Sequence, residues 1–243
     1  MVLPVLITLL VGAAVGGLVV VQNQRQTDQV AEAEAVGLDY LSAAGRFRVR
    51  VAKAIKAADS TKLDEIKRAV DTKIAKPPKL PSAPKYGRQN AGAYREALDV
   101  RSTLLGPYQK LSAKLKEAKV AERFIAAARK VLELRATDFV GSSVITSSGP
   151  VRSELIPAFV NARDTFGAVP VPKGQKKLAA TVRDAAQYVI NQATTLAEKI
   201  DARQSFSFSY SEQFQAAADA LNDYATTVEG DVTEAVNTAI GLD

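Results

Sequence analysis

The chain has no cysteine, no histidine and no tryptophan among its 243 residues. The lack of cysteine excludes a disulfide scaffold, a thiol nucleophile and a thiolate metal site. The lack of histidine excludes a Ser-His-Asp triad, a HExxH zinc site and an imidazole pH switch. Haem and iron–sulfur ligation are disfavoured for the same reasons, so we expect neither metal nor cofactor. An enzyme would have only carboxylates, Lys, Ser or Tyr to use, and we therefore expect a protein that is not an enzyme.

Charge is absent from residues 2–21, a run of aliphatic residues interrupted only by Pro4, Thr8 and glycines. Twenty residues of helix span about 30 Å, the hydrocarbon thickness of a bilayer. The run predicts a transmembrane anchor over residues 1–24, with a body over residues 25–243. The alternative is a cleaved secretory signal, but the run lacks a basic leader and is too long for one.

Small residues recur within this predicted anchor at a spacing of four: Gly12, Ala13, Gly16 and Gly17. One helical turn apart, such residues form a strip that another membrane helix can approach closely. Glycines are also common in membrane helices without any such role. Lys and Arg, which mark the cytoplasmic side, are too sparse near the span to orient it. Taken literally, the few charges after the span slightly favour a cytoplasmic body, but the lack of cysteine and the single N-terminal anchor fit an envelope protein. We expect a body outside the cytoplasm, in the cell envelope.

The body is predicted to be all-α, because 41 of the residues are alanine and no extended run of alternating β-branched residues occurs. We expect an antiparallel bundle of five to seven helices, the first continuing from the anchor to about residue 58. Gly37 and Gly45 argue against an unbroken first helix. A Pro-rich loop is expected over residues 77–90, and a subdivision of the body near residues 140–150. The remaining predicted helices cover about residues 61–76, 91–119 with a break at Gly106–Pro107, 121–139, 149–168 with a disturbance at Pro157, 175–204 and 211–240.

Residues 205–211 alternate Ser with Phe206, Phe208 and Tyr210. In an extended segment this alternation places the three rings on one side. The rings then either contact a partner or pack into the core between two helices. We favour the core, because buried aromatic side chains contribute strongly to it.

Charge is unevenly distributed along the chain. Residues 205–243 contain seven acidic residues and no basic one, within a chain of net charge +6. The densest basic stretch includes Arg46, Arg50 and Lys53, which we regard as candidate partner contacts. No nucleic-acid-binding module accompanies it, so the expected partners of this charge are acidic lipid headgroups, a cell-wall polymer or a partner subunit, and not nucleic acid.

These features predict a non-catalytic, single-pass membrane protein that is an accessory or assembly subunit of a larger membrane complex, such as respiratory, transport or secretion machinery. Its expected partners are the lipid bilayer and other integral membrane subunits. The sequence also allows a homo-oligomer. The alternative is a membrane-tethered, extracytoplasmic binding module for a ligand or a cell-envelope polymer.

Overall fold

A computed structural model describes the backbone of residues 3–59, 62–141 and 145–241, with side chains from residue 23 onward in these ranges. Every regular element in these ranges is a helix, and no strand occurs in them. The predicted all-α class is therefore confirmed. Backbone contacts divide the chain into two compact units. Unit 1 comprises residues 1–112 and 236–243, and unit 2 comprises residues 113–235.

The predicted membrane anchor falls almost entirely on residues 1–22, whose side chains lie outside the described set. Within the residues that are described, no helix is both long enough and apolar enough to cross a bilayer. The anchor and its four packing residues Gly12, Ala13, Gly16 and Gly17 therefore stay predictions.

Unit 1 is built around its first helix. Its elements are α1 (Leu3–Ala57), α2 (Leu63–Ile74), α3 (Lys85–Asn90), α4 (Gly92–Thr103) and the first residues of α5 (Gly106–Leu132). α1 packs against α2, α3 and α4. Buried side chains recur along α1 every three or four residues: Tyr40, Ala44, Phe47, Val51 and Ile55. This spacing follows one face of a helix, and the predicted long first helix is confirmed to within one residue of its end.

The Pro-rich segment, residues 77–90, is irregular only in its first part. The prediction of a loop throughout is wrong, because α3 covers Lys85–Asn90. Pro84 directly precedes α3, where a missing N–H leaves no helical hydrogen bond unmade. At the other end, the Ala91 N–H donates to the Gly87 carbonyl at 2.7 Å.

Unit 2 contains the rest of α5 and a second set of helices. These are α6 (Thr137–Val140), α7 (Ser148–Pro150), a π-helical turn (Val151–Leu155), α8 (Ile156–Gly167), α9 (Lys176–Asp201) and most of α10 (Ser211–Ile240). The spacing of apolar residues in this stretch predicts one buried face of α9, and the structure buries Leu178, Val182, Ala185, Val189, Ala193 and Leu196 there, with Ile200 half-buried. The bounds predicted for α10 match those observed.

The helices predicted over residues 91–119 and 121–139 differ from those observed. The second was expected to reach residue 139, whereas α5 ends at Leu132 and α6 is a separate helix. The expected break between residues 119 and 121 does not occur, because α5 is one helix from Gly106 to Leu132. Its buried positions continue across the expected break at helical spacing, from Leu115 and Ala118 to Ala121 and Phe124. Backbone contacts divide the chain at residues 112–113 and 235–236. The subdivision suggested near residues 140–150 stays a prediction.

Pro157 disturbs its helix as predicted. It lies in the first turn of α8, immediately after the π-helical turn Val151–Leu155. Proline has no N–H to donate and its ring crowds the carbonyl one turn earlier. The widened π-helical turn ahead of Pro157 accommodates this local loss of regular helical hydrogen bonding.

Candidate functional site

α1 approaches two neighbouring helices of unit 1 so closely that only glycine fits at the contacts. A Cβ at Gly37 would overlap the backbone of Ala93, at the start of α4. A Cβ at Gly87, in α3, would overlap the backbone of Gln29. Beside the first contact, the Ala93 N–H donates to Glu34 Oε2 at 2.6 Å. Since the first N–H groups of a helix have no partner within it, Glu34 both caps α4 and ties it to α1.

The basic residues singled out on α1 are exposed. Arg46, Arg50 and Lys53 all lie on the solvent side of the helix. The Arg46 guanidinium donates to Ser42 Oγ at 2.6 Å, one turn earlier on the same helix. Unit 1 has 17 Lys and Arg against 11 Asp and Glu, whereas unit 2 has 15 of each, so the net charge of +6 belongs to unit 1.

Unit 1 contains an open groove of about 380 Å³, the Tyr40 groove. Its lining residues are Tyr40, residues 77–80, Arg101, Leu104 and Leu105. Lys79 and Arg101 are exposed at its edge, and none of the described residues that line it is acidic. The groove therefore combines an apolar wall with positive charge.

The Tyr40 hydroxyl is the one described side-chain oxygen or nitrogen that is fully covered and has no hydrogen-bond partner. The residue is 3% exposed. Burial raises the pKa of the Tyr40 phenol above its usual value, and the Arg101 and Arg48 guanidiniums oppose that shift. At neutral pH the phenol is therefore an O–H donor, and a buried donor without an acceptor costs about 1–3 kcal/mol.

Unit 2 has a larger open groove of about 640 Å³, the Lys114 groove, which α5, residues 171–175 and α10 line. Lys114 Nζ lies 2.7 Å from Asp231 Oδ2 and 3.9 Å from Glu117 Oε2. The hydrogen bond to Asp231 is the main cause of the raised pKa of Lys114. Val171, 44% exposed, supplies apolar surface at the same groove. Lys114 is thus already matched by two carboxylates that also line this groove.

The aromatic segment predicted as an alternative partner contact packs against the core of unit 2. Phe206, Phe208 and Tyr210 are half-buried against that core. The Tyr210 ring lies 4.9 Å from that of Phe214 and 6.2 Å from that of Phe159, centroid to centroid. The Tyr210 hydroxyl oxygen accepts a hydrogen bond from the Ala136 N–H at 2.8 Å. These contacts agree with the favoured interpretation of the segment as part of the core.

Sequence reasoning did not single out the members of the Tyr40 groove. Lys79 falls in the predicted Pro-rich loop, and no motif in the sequence marks Tyr40. Arg101 belongs to a different helix, 61 residues away. The one signal present in the sequence was a run without acid, since residues 72–95 contain six Lys and Arg and no Asp or Glu.

Acidic side chains do not gather into a metal centre in the part of the chain that the structure describes, where no group of three or more potential ligands occurs. The expectation of a protein without metal or cofactor stays a prediction. The chain matches no family model, no curated protein and no solved structure. Its function is therefore argued from its own residues.

Proposed function

We propose that this protein is a non-catalytic, single-pass membrane protein, an accessory or assembly subunit of a larger membrane complex. Residues 1–24 are its anchor, and its helical body lies outside the cytoplasm. Its partners are the bilayer and other integral membrane subunits, and not nucleic acid. Docking uses the strip of small residues in the anchor together with the body.

The observation that carries this proposal is the direct helical connection between the predicted anchor and the core of unit 1. α1 is uninterrupted from residue 23 to Ala57. Residues 23–32 are all exposed or half-buried, and Ala33 is the first that is fully buried. At 1.5 Å per residue, about 7 Å of helix separates the end of the predicted anchor at residue 24 from Gln29, whose backbone contacts α3.

This connection supports a structural role because it is stiff. A flexible linker would allow the body to rotate freely relative to the anchor, whereas a helix fixes both distance and direction. Gly37, Gly87 and Glu34 then join that helix to α3 and α4 by backbone contacts and a hydrogen bond. An anchor docked on another membrane helix would thereby orient unit 1 on the same complex.

A substitution in the anchor tests the docking. Gly12→Leu with Gly16→Leu adds bulk to the predicted strip, while Ala14→Leu adds bulk on the other side of the helix. We expect the double variant to lose at least about tenfold of its co-purified partner chains, since tenfold corresponds to about 1.4 kcal/mol, within the usual cost of overpacking. The measurement is a native gel in mild detergent, followed by mass spectrometry of the chains in each band.

The Ala14→Leu variant should keep its partners and its particle size. Equal partner recovery from both variants would show that the strip is not the docking surface. A wild-type particle that contains only this chain would contradict the accessory-subunit proposal and favour a tethered binding module.

A further inference from the structure

The Tyr40 groove shares its size and its mixture of apolar and charged lining with small-molecule sites. Its volume, about 380 Å³, falls at the lower end of the range usual for small-molecule pockets. Such pockets combine a mostly apolar lining with a few polar groups that fix orientation. Leu80, Leu104 and Leu105 form the apolar part here, and Arg101 and Lys79 the polar part.

The charges at this groove favour an anion. Arg101 and Lys79 line it, and no described residue in its lining is acidic. The planar guanidinium of arginine matches a carboxylate through two parallel hydrogen bonds. The Lys114 groove differs in this respect, because Asp231 and Glu117 line it and pair with Lys114.

The buried Tyr40 hydroxyl is a second and independent indication of a ligand. Its residue is 97% covered, and no described group accepts its hydrogen bond. Buried polar groups of folded proteins nearly always have a partner, so each exception calls for a reason. An anionic oxygen in the groove would be such a partner once the side chains that cover the hydroxyl move aside, because it would accept the phenol O–H while it neutralises Arg101.

We propose that the Tyr40 groove binds a small amphipathic carboxylate. The carboxylate group contacts Arg101, Lys79 and the Tyr40 hydroxyl, and the apolar body of the ligand packs on Leu80, Leu104 and Leu105. The leucine wall selects such a ligand over an inorganic anion. This assignment does not depend on the membrane anchor or on the accessory-subunit proposal.

Three probes of the full-length protein in mild detergent test the assignment: hexanoate, its neutral analogue hexanamide, and inorganic phosphate. Binding is followed by saturable changes in the NMR signals of the leucine methyl groups at the groove. We expect hexanoate to bind at least tenfold more tightly than either hexanamide or phosphate. Equal binding of hexanoate and hexanamide would overturn recognition of the carboxylate, and equal binding of phosphate would overturn the role of the apolar wall.

Two variants on α4 locate the site. Arg101→Gln removes the proposed guanidinium contact, and Arg95→Gln removes an exposed guanidinium of the same helix that does not line the groove. We expect at least a tenfold loss of hexanoate affinity for the first and no change for the second. An unchanged affinity for Arg101→Gln would overturn the proposal.

The variant Tyr40→Phe separates ligand binding from a merely structural role. Without ligand, it removes a buried donor that has no acceptor, so its thermal midpoint should rise. With saturating hexanoate, it should gain less thermal stability than the wild type, and its hexanoate affinity should fall severalfold. A variant that binds hexanoate as tightly as the wild type would remove the hydroxyl from the site.

Discussion

Gly37→Ala is expected to lower the free energy of unfolding by about 1–3 kcal/mol, the usual cost of overpacking. The new Cβ would overlap the backbone of Ala93, and a backbone cannot move aside as a flexible side chain can. α1 and α4 must therefore separate, which also stretches the hydrogen bond from the Ala93 N–H to Glu34.

Gly45→Ala is the matched control, since it lies in the same helix two turns later and nothing would touch its Cβ within 4 Å. Alanine favours a helix over glycine by about 0.5–1 kcal/mol, so this variant should become more stable by that amount. Because both variants gain the same propensity, the difference between them isolates the close approach of α4.

Urea denaturation of the full-length protein, followed by circular dichroism, measures both effects. Hydrogen exchange of the two variants should place the loss for Gly37→Ala in α1 and α4. If the two variants had equal stability, the contact between α1 and α4 would be looser than the structure has it.

Phe159→Ala is the second substitution with a large expected effect, about 3–5 kcal/mol of lost stability. Phe159 in α8 is completely buried. Its ring makes edge contacts with those of Phe139, Tyr210 and Phe214, at centroid distances of 6.1–6.4 Å. Loss of the ring removes its apolar area, leaves a cavity and breaks all three contacts. The thermal midpoint should fall by roughly 6–20 °C for a chain of this size.

Phe208→Ala provides the comparison within the same aromatic cluster. Phe208 is half-buried and contacts the Tyr210 ring at 5.5 Å. Its removal should cost about 1–2 kcal/mol, the transfer free energy of a partly buried ring without a full cavity. An unchanged midpoint for Phe208→Ala would mean that this ring does not stabilise unit 2, and would return it to the partner-contact interpretation.

Local patterns in the sequence were sufficient for most helices of the body. The apolar stripe of α9, the bounds of α10 and the disturbance at Pro157 are all consequences of residues within a few turns of one another. Helical periodicity and breaker residues act over that range, and they can be read without tertiary contacts. The prediction failed at α3 and within α5. The intrinsic helix propensity of these segments is weak evidence, and tertiary packing decides whether they are helical.

The candidate site could not be predicted in this way. Tyr40, Lys79 and Arg101 come from three segments that only the packing of α1 with its neighbours brings to one groove. The unsatisfied hydroxyl of Tyr40 exists because the surrounding helices cover it, and a sequence position cannot reveal burial of a single oxygen. The sequence alone does not show which distant segments pack against one another, and the site depends on that packing.

The sequence by itself determined the all-α class, the apolar helix faces and the excess of Lys and Arg over Asp and Glu, and it predicted the anchor. Each of these depends on composition or on spacing along one helix. Only the tertiary structure decided that Gly37 is a point of contact rather than a helix breaker. The reason is that a glycine weakens an isolated helix by its backbone freedom, yet permits an approach between two helix backbones that no other residue allows.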